Sequence, residues 1–136
     1  MPIIKSDSNL FYFSHIPKCA GTSVENYIAH FPNCSLLFLD RDFTSSSALK
    51  EWSNSSPQHI SGKVVSSLFK DLAFSGYFAI LRDPVERFKS AFIFQKFIEK
   101  KIDDSIDCNY FISEKLSKNF LKQGWCDNHF QPQISF

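Results

Sequence analysis

Short apolar runs and amphipathic segments alternate along the first part of the chain. Residues 10–16 are nearly all apolar or aromatic and are followed by a proline, so they predict a buried strand. Residues 22–30 place their apolar side chains on one helical face, which predicts a helix. We expect Thr22 to cap this helix, with Glu25 three residues later completing a capping box. The pattern therefore predicts a strand, a tight loop containing Gly21 and a helix as the first unit.

Three further runs have the length of strands. Residues 36–39 form the second apolar run, and the polar cluster that follows favours a helix over 48–52. A short strand is expected over 59–64, with Gly62 at its end. Residues 77–81 give the clearest strand pattern of the chain. These runs supply the later strands of the predicted sheet.

Two helices are predicted in the second half of the chain. The first covers 84–100, because Asp83 is a good N-cap residue and Pro84 suits the first helical position. The second covers 110–121. After Gly124 the chain is expected to be irregular.

The alternation of strands and helices defines the expected fold class. Strands that are continuous apolar runs and alternate with helices indicate an α/β domain with a parallel sheet. The length of 136 residues corresponds to one domain, residues 1–136. In such sheets ligands bind at the carboxyl ends of the strands, so the loops that follow the strands are where a site is expected.

Composition narrows the function classes. Fifteen Lys and Arg residues against fourteen Asp and Glu give a net charge of +1, which argues against a general nucleic-acid binder. Any bound anion must therefore be held by a local site. Sixteen phenylalanines predict a core built largely from Phe.

The chain shows no targeting or metal-binding pattern. Its longest apolar runs are far shorter than the roughly 20 residues of a membrane span, and its first residues lack a signal-peptide stretch. We therefore expect a soluble, cytoplasmic chain. The four cysteines form no C-x-x-C pair and have no histidine at metal-ligand spacing, which favours free thiols over disulfides or zinc. No metal site is expected.

The loop over residues 15–23 has the chemistry of an anion site. A helix start offers unpaired N–H groups and the positive end of the helix dipole. Gly21 permits close backbone approach, Thr22 and Ser23 add hydroxyls, and Lys18 adds a positive charge. An ordinary strand-to-helix turn with a solvated lysine is the alternative. The loop is not a Walker A motif, because its lysine precedes its only glycine.

Two motifs carry a resemblance to a known family. Residues 13–23, F-S-H-I-P-K-C-A-G-T-S, resemble the 5′-phosphosulfate loop of sulfotransferases that use 3′-phosphoadenosine 5′-phosphosulfate (PAPS), above all the carbohydrate and heparan-sulfate 2-O type. Residues 80–92 resemble the family's R-D-P-x-x-R-x-x-S motif for the nucleotide 3′-phosphate. A weaker likeness is the segment 127–133, which is similar to an H-x-x-P-Q pattern. The motifs occur in the family's order, each at a predicted strand-to-helix junction.

The resemblance implies a fold, a co-substrate and site residues. The fold is a three-layer, P-loop-NTPase-like arrangement of a parallel sheet between helices. PAPS is the implied co-substrate, with no metal required. Arg82 and Ser90 are implied at the 3′-phosphate, and Lys18 stabilises charge on the bridging oxygen of the leaving phosphate. The implied 5′-phosphate loop consists of Lys18, Cys19, Ala20, Gly21, Thr22 and Ser23.

The general base is where the sequence departs from the family pattern. Heparan-sulfate 2-O-type enzymes carry a Gly-His pair after a middle strand, whereas this chain has Gly62-Lys63. A lysine is protonated at neutral pH and accepts a proton only where its surroundings favour the neutral form. On a strand, His59 would lie about 13 Å from Lys63. The candidates are Lys63, His59 after a change of register, or a residue the sequence does not indicate; Lys63 could instead bind an anionic acceptor sugar.

Three functions follow in order of preference. The first is sulfuryl transfer from PAPS to an acceptor hydroxyl or amine, with a carbohydrate hydroxyl favoured. The second is PAPS or product binding without transfer, since family domains usually continue past this segment and a C-terminal part is expected to be missing. The third is a small nucleotide kinase. Animal relatives often lie in the Golgi behind a membrane anchor, which a longer parent chain would carry. The sequence indicates neither the acceptor nor the oligomeric state.

Overall fold

A four-stranded mixed sheet is the framework of the molecule. The computed structural model describes residues 2–37, 56–122 and 124–136. Strands β1 (Ile3–Ser6), β2 (Asn9–Ser14), β3 (Cys34–Leu37) and β4 (Gly76–Ala79) lie in the order β3-β1-β2-β4. The fold is therefore α/β, as predicted. The predicted helix over 48–52 lies outside the described residues.

The prediction of an all-parallel sheet is wrong. β1 runs antiparallel to both β2 and β3, and only β2 and β4 are parallel to each other. The strand missed at the N-terminus explains the difference. Ser6 pairs with Asn9 across a two-residue turn, and Asp7 in that turn has a φ of 53°. Such left-handed residues are typical of tight hairpins, which place antiparallel strands side by side.

The predicted strand over 59–64 is also wrong. A single turn of 3₁₀-helix, Pro57–His59, leads into helix α2 (Gly62–Leu68), after which the chain returns to β4. The apolar residues of the segment still enter the core, because Ile60 and Val65 are buried against Ile3 and Tyr12 of the sheet. A short apolar run is compatible with a strand and with a buried helix face. The apolar residues of this segment belong to the second kind.

The other predicted helices are present. Helix α1 covers Gly21–Ile28, and helix α3 covers Pro84–Ile93 and continues as a π-helical stretch over Phe94–Ile98. The Asp83 carboxylate accepts hydrogen bonds from the N–H groups of Val85 and Glu86 (both 3.0 Å), so the predicted N-cap is confirmed. The last predicted helix is a continuous run of helical turns, Cys108–Tyr110, Phe111–Leu116 and Ser117–Asn119.

A second core packs the chain after Gly124 onto α3. This segment contains only the short turns Trp125–Asn128 and Gln133–Ser135 among its described residues, yet much of it is buried. The phenylalanine-rich core predicted from composition lies here, around Phe92, Phe111 and Phe130. The segment is therefore held firmly against the helix that carries the second motif.

The strand β4 lies at one edge of the described sheet and pairs there only with β2. Its Tyr77 is 67% exposed, and Leu81, which follows the strand, is 69% exposed. None of the helices within residues 2–37, 56–122 and 124–136 combines the length and apolarity that a membrane span requires.

The thiols of the four cysteines are free, as the sequence predicts. They belong to Cys19, Cys34, Cys108 and Cys126.

Candidate functional site

A cavity of about 430 Å³ lies where the loops after β2 and β4 meet. These two strands are parallel neighbours, so their carboxyl ends share one edge of the sheet, as expected for a ligand site in this class of fold. The volume falls within the range of roughly 300–1,000 Å³ that small-molecule sites occupy. The cavity is lined by His15, Lys18, Ala20, Gly21, Thr22, Gln58, His59, Arg82, Ser90, Phe94, Glu99, Asp127 and His129.

The first loop is held in an unusual backbone conformation. Lys18 and Ala20 both have a φ of 64°, in the left-handed region that non-glycine residues rarely adopt. Arg87 fixes this loop from α3: its buried guanidinium donates to the carbonyls of Pro17 (2.9 Å), Gln131 (2.9 Å) and His129 (3.0 Å). One side chain thus ties together both motifs and the C-terminal segment. Arg87 thus bonds the backbone, whereas Ser90, three residues further along α3, lines the cavity.

Gly21 begins α1 at a position where a side chain cannot fit. A Cβ atom there would lie 1.8 Å from Nε2 of His15, so the imidazole occupies the space beside the glycine. His15 Nδ1 in turn lies 2.9 Å from the Glu25 carboxylate. The predicted capping box is therefore wrong: Ala20 is the N-cap residue, Thr22 lies inside the helix, and Glu25 faces His15 instead of the helix start.

The start of α1 supplies backbone donors to the cavity. The N–H groups of Ser23 and Val24 donate to the Ala20 carbonyl (3.0 and 3.2 Å). Those of Gly21 and Thr22 precede the first hydrogen bond of the helix, and both residues line the cavity. Such a helix start attracts anions.

Two cationic side chains lie at the cavity. The ammonium of Lys18 sits 3.8 Å from the ring centroid of Phe94, and Arg82 Nη1 donates to the Lys18 carbonyl over 3.4 Å. Burial, with a smaller contribution from the charge of Arg82, lowers the pKa of Lys18. The Arg82 backbone is held by the side chain of Gln133, which bonds its N–H (3.0 Å) and its carbonyl (2.9 Å). A bound anion would relieve the repulsion between the two cations.

Six of the eight residues expected at the nucleotide line the cavity. They are Lys18, Ala20, Gly21, Thr22, Arg82 and Ser90. The other two do not line it: Cys19 is buried with its thiol 3.4 Å from Gln133 Oε1, and Ser23 is exposed. The structure therefore brings the two sequence motifs together at one place.

His59 forms a dyad with a residue that sequence reasoning missed. Its Nδ1 lies 2.8 Å from Oδ2 of Asp127, and the Asp127 carboxylate also accepts from the N–H and hydroxyl of Ser56. Burial alone raises the pKa of Asp127, but the hydrogen bond and charge of His59, together with Ser56, hold it well below its usual range. Burial lowers the pKa of His59, although Asp127 opposes that shift. His59 is thus an imidazole oriented by a carboxylate.

Two further histidines surround the dyad. The ring of His59 makes edge contacts with those of His15 and His129, at centroid distances of 5.2 and 5.1 Å. Burial, and secondarily His59, lowers the pKa of His129 to about 4. Its Nδ1 lies 2.8 Å from the Cys126 carbonyl, which can only accept, so this nitrogen carries the hydrogen; the side-chain amide of Gln95 lies 3.1 Å from the same nitrogen.

Lys63 lies away from this group. It is the second residue of α2, its side chain is exposed, and it is not among the residues that line the cavity. The strand on which His59 and Lys63 were both expected is absent. His59 reaches the cavity because it ends the 3₁₀ turn before α2.

Asp127 could not be found from its local sequence. It lies 68 residues from His59, in a turn where Cys126, Asp127 and Asn128 all have positive φ (48°, 52° and 60°). Asn128 stabilises the turn by bonding the Gly124 N–H (2.6 Å) and the His59 carbonyl (2.8 Å). The weak H-x-x-P-Q likeness over 127–133 was the one signal that pointed to this segment.

Fold and cavity place the molecule among α/β proteins that bind ligands at the carboxyl ends of parallel strands. Comparison with protein families then identifies it more closely: the model of the sulfotransferase family matches residues 1–135, and the chain belongs to that family. Comparisons with curated proteins and with solved structures gave no match.

Proposed function

We propose that the protein transfers a sulfuryl group from PAPS to an acceptor hydroxyl, with a carbohydrate as the acceptor class. One observation carries the proposal: two motifs 64 residues apart place Lys18 and Arg82 on one cavity, which the His59–Asp127 dyad also lines. Membership of the sulfotransferase family supports the reaction type. The three-layer, P-loop-like arrangement remains part of this proposal.

The first loop is assigned to the 5′-phosphosulfate. Gly21 and Thr22 line the cavity, and their N–H groups and the Thr22 hydroxyl are the donors assigned to the phosphate oxygens. Lys18 lies in the same loop, and its ammonium is held by the ring of Phe94. As the bond between sulfur and the bridging oxygen breaks, negative charge develops on that oxygen, and a nearby ammonium stabilises it.

The second motif is assigned to the 3′-phosphate. Arg82 and Ser90 line the same cavity from the β4–α3 loop and from α3. A guanidinium pairs with a phosphate through two parallel hydrogen bonds, which fixes orientation as well as charge. The Gln133 side chain holds the Arg82 backbone in place. The C-terminal segment thereby helps to orient the nucleotide.

His59 is proposed as the general base. Its Nδ1–H donates to Asp127, which leaves the lone pair on Nε2 to accept a proton. The acceptor oxygen attacks sulfur while its proton moves to His59 and the sulfur–oxygen bond to the phosphate breaks. The products are a sulfate ester and adenosine 3′,5′-bisphosphate, with the proton on His59. Asp127 stabilises the imidazolium that forms, as carboxylates do in other oriented-histidine sites.

A transfer assay tests the proposal. The protein is incubated with ³⁵S-labelled PAPS and desulfated polysaccharides, and label in the polymer is counted. Transfer that is lost in Lys18→Ala and kept in Lys63→Ala supports the assignment, because the second lysine is exposed outside the cavity. Tight nucleotide binding without label in any hydroxyl or amine acceptor would instead indicate a binding protein without transferase activity.

A further inference from the structure

Three side chains at the cavity have the chemistry of a metal-ligand set. Atoms of His59, Asp127 and His129 that can bind a metal all lie within 4.8 Å of one another. Two are buried and the third is half-buried, yet all three line the cavity and can be reached from it. Two imidazoles and one carboxylate form a donor set that suits Zn²⁺ and similar transition ions.

The spacing is close to what one ion requires. With bonds of about 2.0–2.1 Å, two ligands of a tetrahedral ion lie about 3.3 Å apart. His59 Nδ1 and Asp127 Oδ2 are already 2.8 Å apart, separated only by a hydrogen. The ring of His129 meets that of His59 edge-on at 5.1 Å. The three donors, which lie within 4.8 Å of one another, have to approach to about 3.3 Å to share one ion.

Neighbouring groups orient His129 and Asp127 through hydrogen bonds, as the residues around metal ligands do in metalloproteins. His129 donates from Nδ1 to the Cys126 carbonyl, so its Nε2 holds the lone pair that a metal needs. The Asp127 carboxylate is held by the N–H and hydroxyl of Ser56. Fixed tautomers and held carboxylates raise metal affinity.

We propose that the protein reversibly binds one divalent transition-metal ion of the Zn²⁺ type through His59, Asp127 and His129. The ion replaces the hydrogen between His59 and Asp127, which moves to Nε2 of the His59 ring, and a fourth position stays open to water. Lys18 and Arg82 lie at the same cavity and weaken attraction for a cation, so the site suits exchangeable binding more than permanent retention. Binding of the ion is independent of the proposed function.

A consequence for activity rests on the proposed function. An ion bound to Nδ1 of His59 leaves the ring hydrogen on Nε2, so His59 can no longer accept a proton from the acceptor, and zinc is expected to inhibit sulfuryl transfer. Inhibition should be reversed by a chelator. It should affect the acceptor step and leave binding of adenosine 3′,5′-bisphosphate nearly unchanged.

Metal titration without substrates tests the site directly. Zinc chloride is titrated calorimetrically into chelator-treated protein, and cobalt chloride is added while the visible spectrum is recorded. We expect one ion per chain. Loss of a ligand in His129→Gln or Asp127→Asn should weaken binding by at least about tenfold, as even the loss of an outer partner does. His30→Gln, at an exposed histidine on the far end of α1, is the matched control and should bind normally.

The wild-type protein provides a second readout that does not depend on a variant folding. In ¹⁵N-histidine spectra, zinc should move the ring signals of His59 and His129 and leave those of His30 in place. Absence of binding to the wild type, equal binding in His129→Gln, or a thiolate-to-cobalt band that assigns the ion to Cys126 or another cysteine would each overturn the proposal.

Discussion

The Nδ1 atom of His59 lies 2.8 Å from Oδ2 of Asp127, which follows it by 68 residues. The pair lines the cavity that Lys18 and Arg82 also line. A carboxylate-held histidine beside two cationic side chains offers what the proposed transfer to a hydroxyl requires: positive charge for the leaving group and a base for the acceptor.

Removal of the imidazole should abolish transfer while nucleotide binding survives. We expect His59→Ala to lower kcat by about 10²- to 10⁴-fold, the usual contribution of a general base. Calorimetry should give an affinity for adenosine 3′,5′-bisphosphate within about threefold of wild type, because that ligand has no need of the base. His30→Ala is the control for histidine substitution. A fully active His59→Ala variant would remove this residue from the mechanism.

Gly21 should be intolerant of even a methyl group because of His15. A Cβ atom would lie 1.8 Å from His15 Nε2, so Gly21→Ala must displace the imidazole or the start of α1. We expect a loss of about 1–3 kcal/mol in the free energy of unfolding, typical of overpacking, together with weakened nucleotide binding. Chemical denaturation measures the first quantity.

A double substitution makes the Gly21 prediction sharper. If the clash is the cause, His15→Ala with Gly21→Ala should recover part of the stability that Gly21→Ala loses, a positive coupling in the double-mutant cycle. Purely additive losses would show that the backbone, and not the imidazole, sets the requirement for glycine.

Arg87 should be a stability residue although it belongs to the second motif. Its guanidinium donates to three backbone carbonyls, and Arg87→Met leaves them without this donor. We expect the free energy of unfolding to fall by about 2–3 kcal/mol. Lys89→Ala, which breaks an exposed pair with Glu86, should leave it nearly unchanged. Equal effects would contradict the structural role of Arg87.

Stability should fall on mild acidification because His129 is buried and neutral. Its pKa is lowered to about 4 in the folded chain, against roughly 6.5 when unfolded. Between those values the unfolded state binds the extra proton, so stability decreases as pH falls from about 6.5 towards 4. Melting temperatures measured between about pH 6.5 and pH 4, in the presence of a chelator, test this pH dependence. The melting temperature should fall less steeply with pH in His129→Gln. An identical fall in both proteins would show that other groups cause it.

Much of the fold and half of the site could be predicted because they depend on local sequence. A few consecutive residues are enough to specify several features. They are the strand before Pro17, the Asp83 cap and the two loops that are predicted to bind phosphate. The segment 59–64 was misread because a short apolar run fits a strand and a buried helix face equally well. The antiparallel strand β1 was missed because a two-residue turn gave it little sequence signal.

The remainder of the site depends on long-range contacts. Asp127 reaches His59 only because three consecutive left-handed residues turn the chain at Cys126 to Asn128. Neither the spacing nor the residue types reveal such a turn in advance. The same reason explains why no metal-ligand pattern was visible: His59 and the pair Asp127 and His129 are far apart in sequence and adjacent in space.

The most direct test of the account is calorimetric titration of adenosine 3′,5′-bisphosphate into the purified protein and three variants. Lys18→Ala and Arg82→Ala remove the two cavity cations, and Lys63→Ala removes an exposed lysine of α2 as the matched control. We predict saturable 1:1 binding that weakens by at least about tenfold in the first two, since charge-assisted hydrogen bonds contribute about 1.5–3 kcal/mol, and is unchanged in the third. A folded wild-type protein that binds no nucleotide, or binding that all three variants retain, would contradict the assignment of this cavity to PAPS.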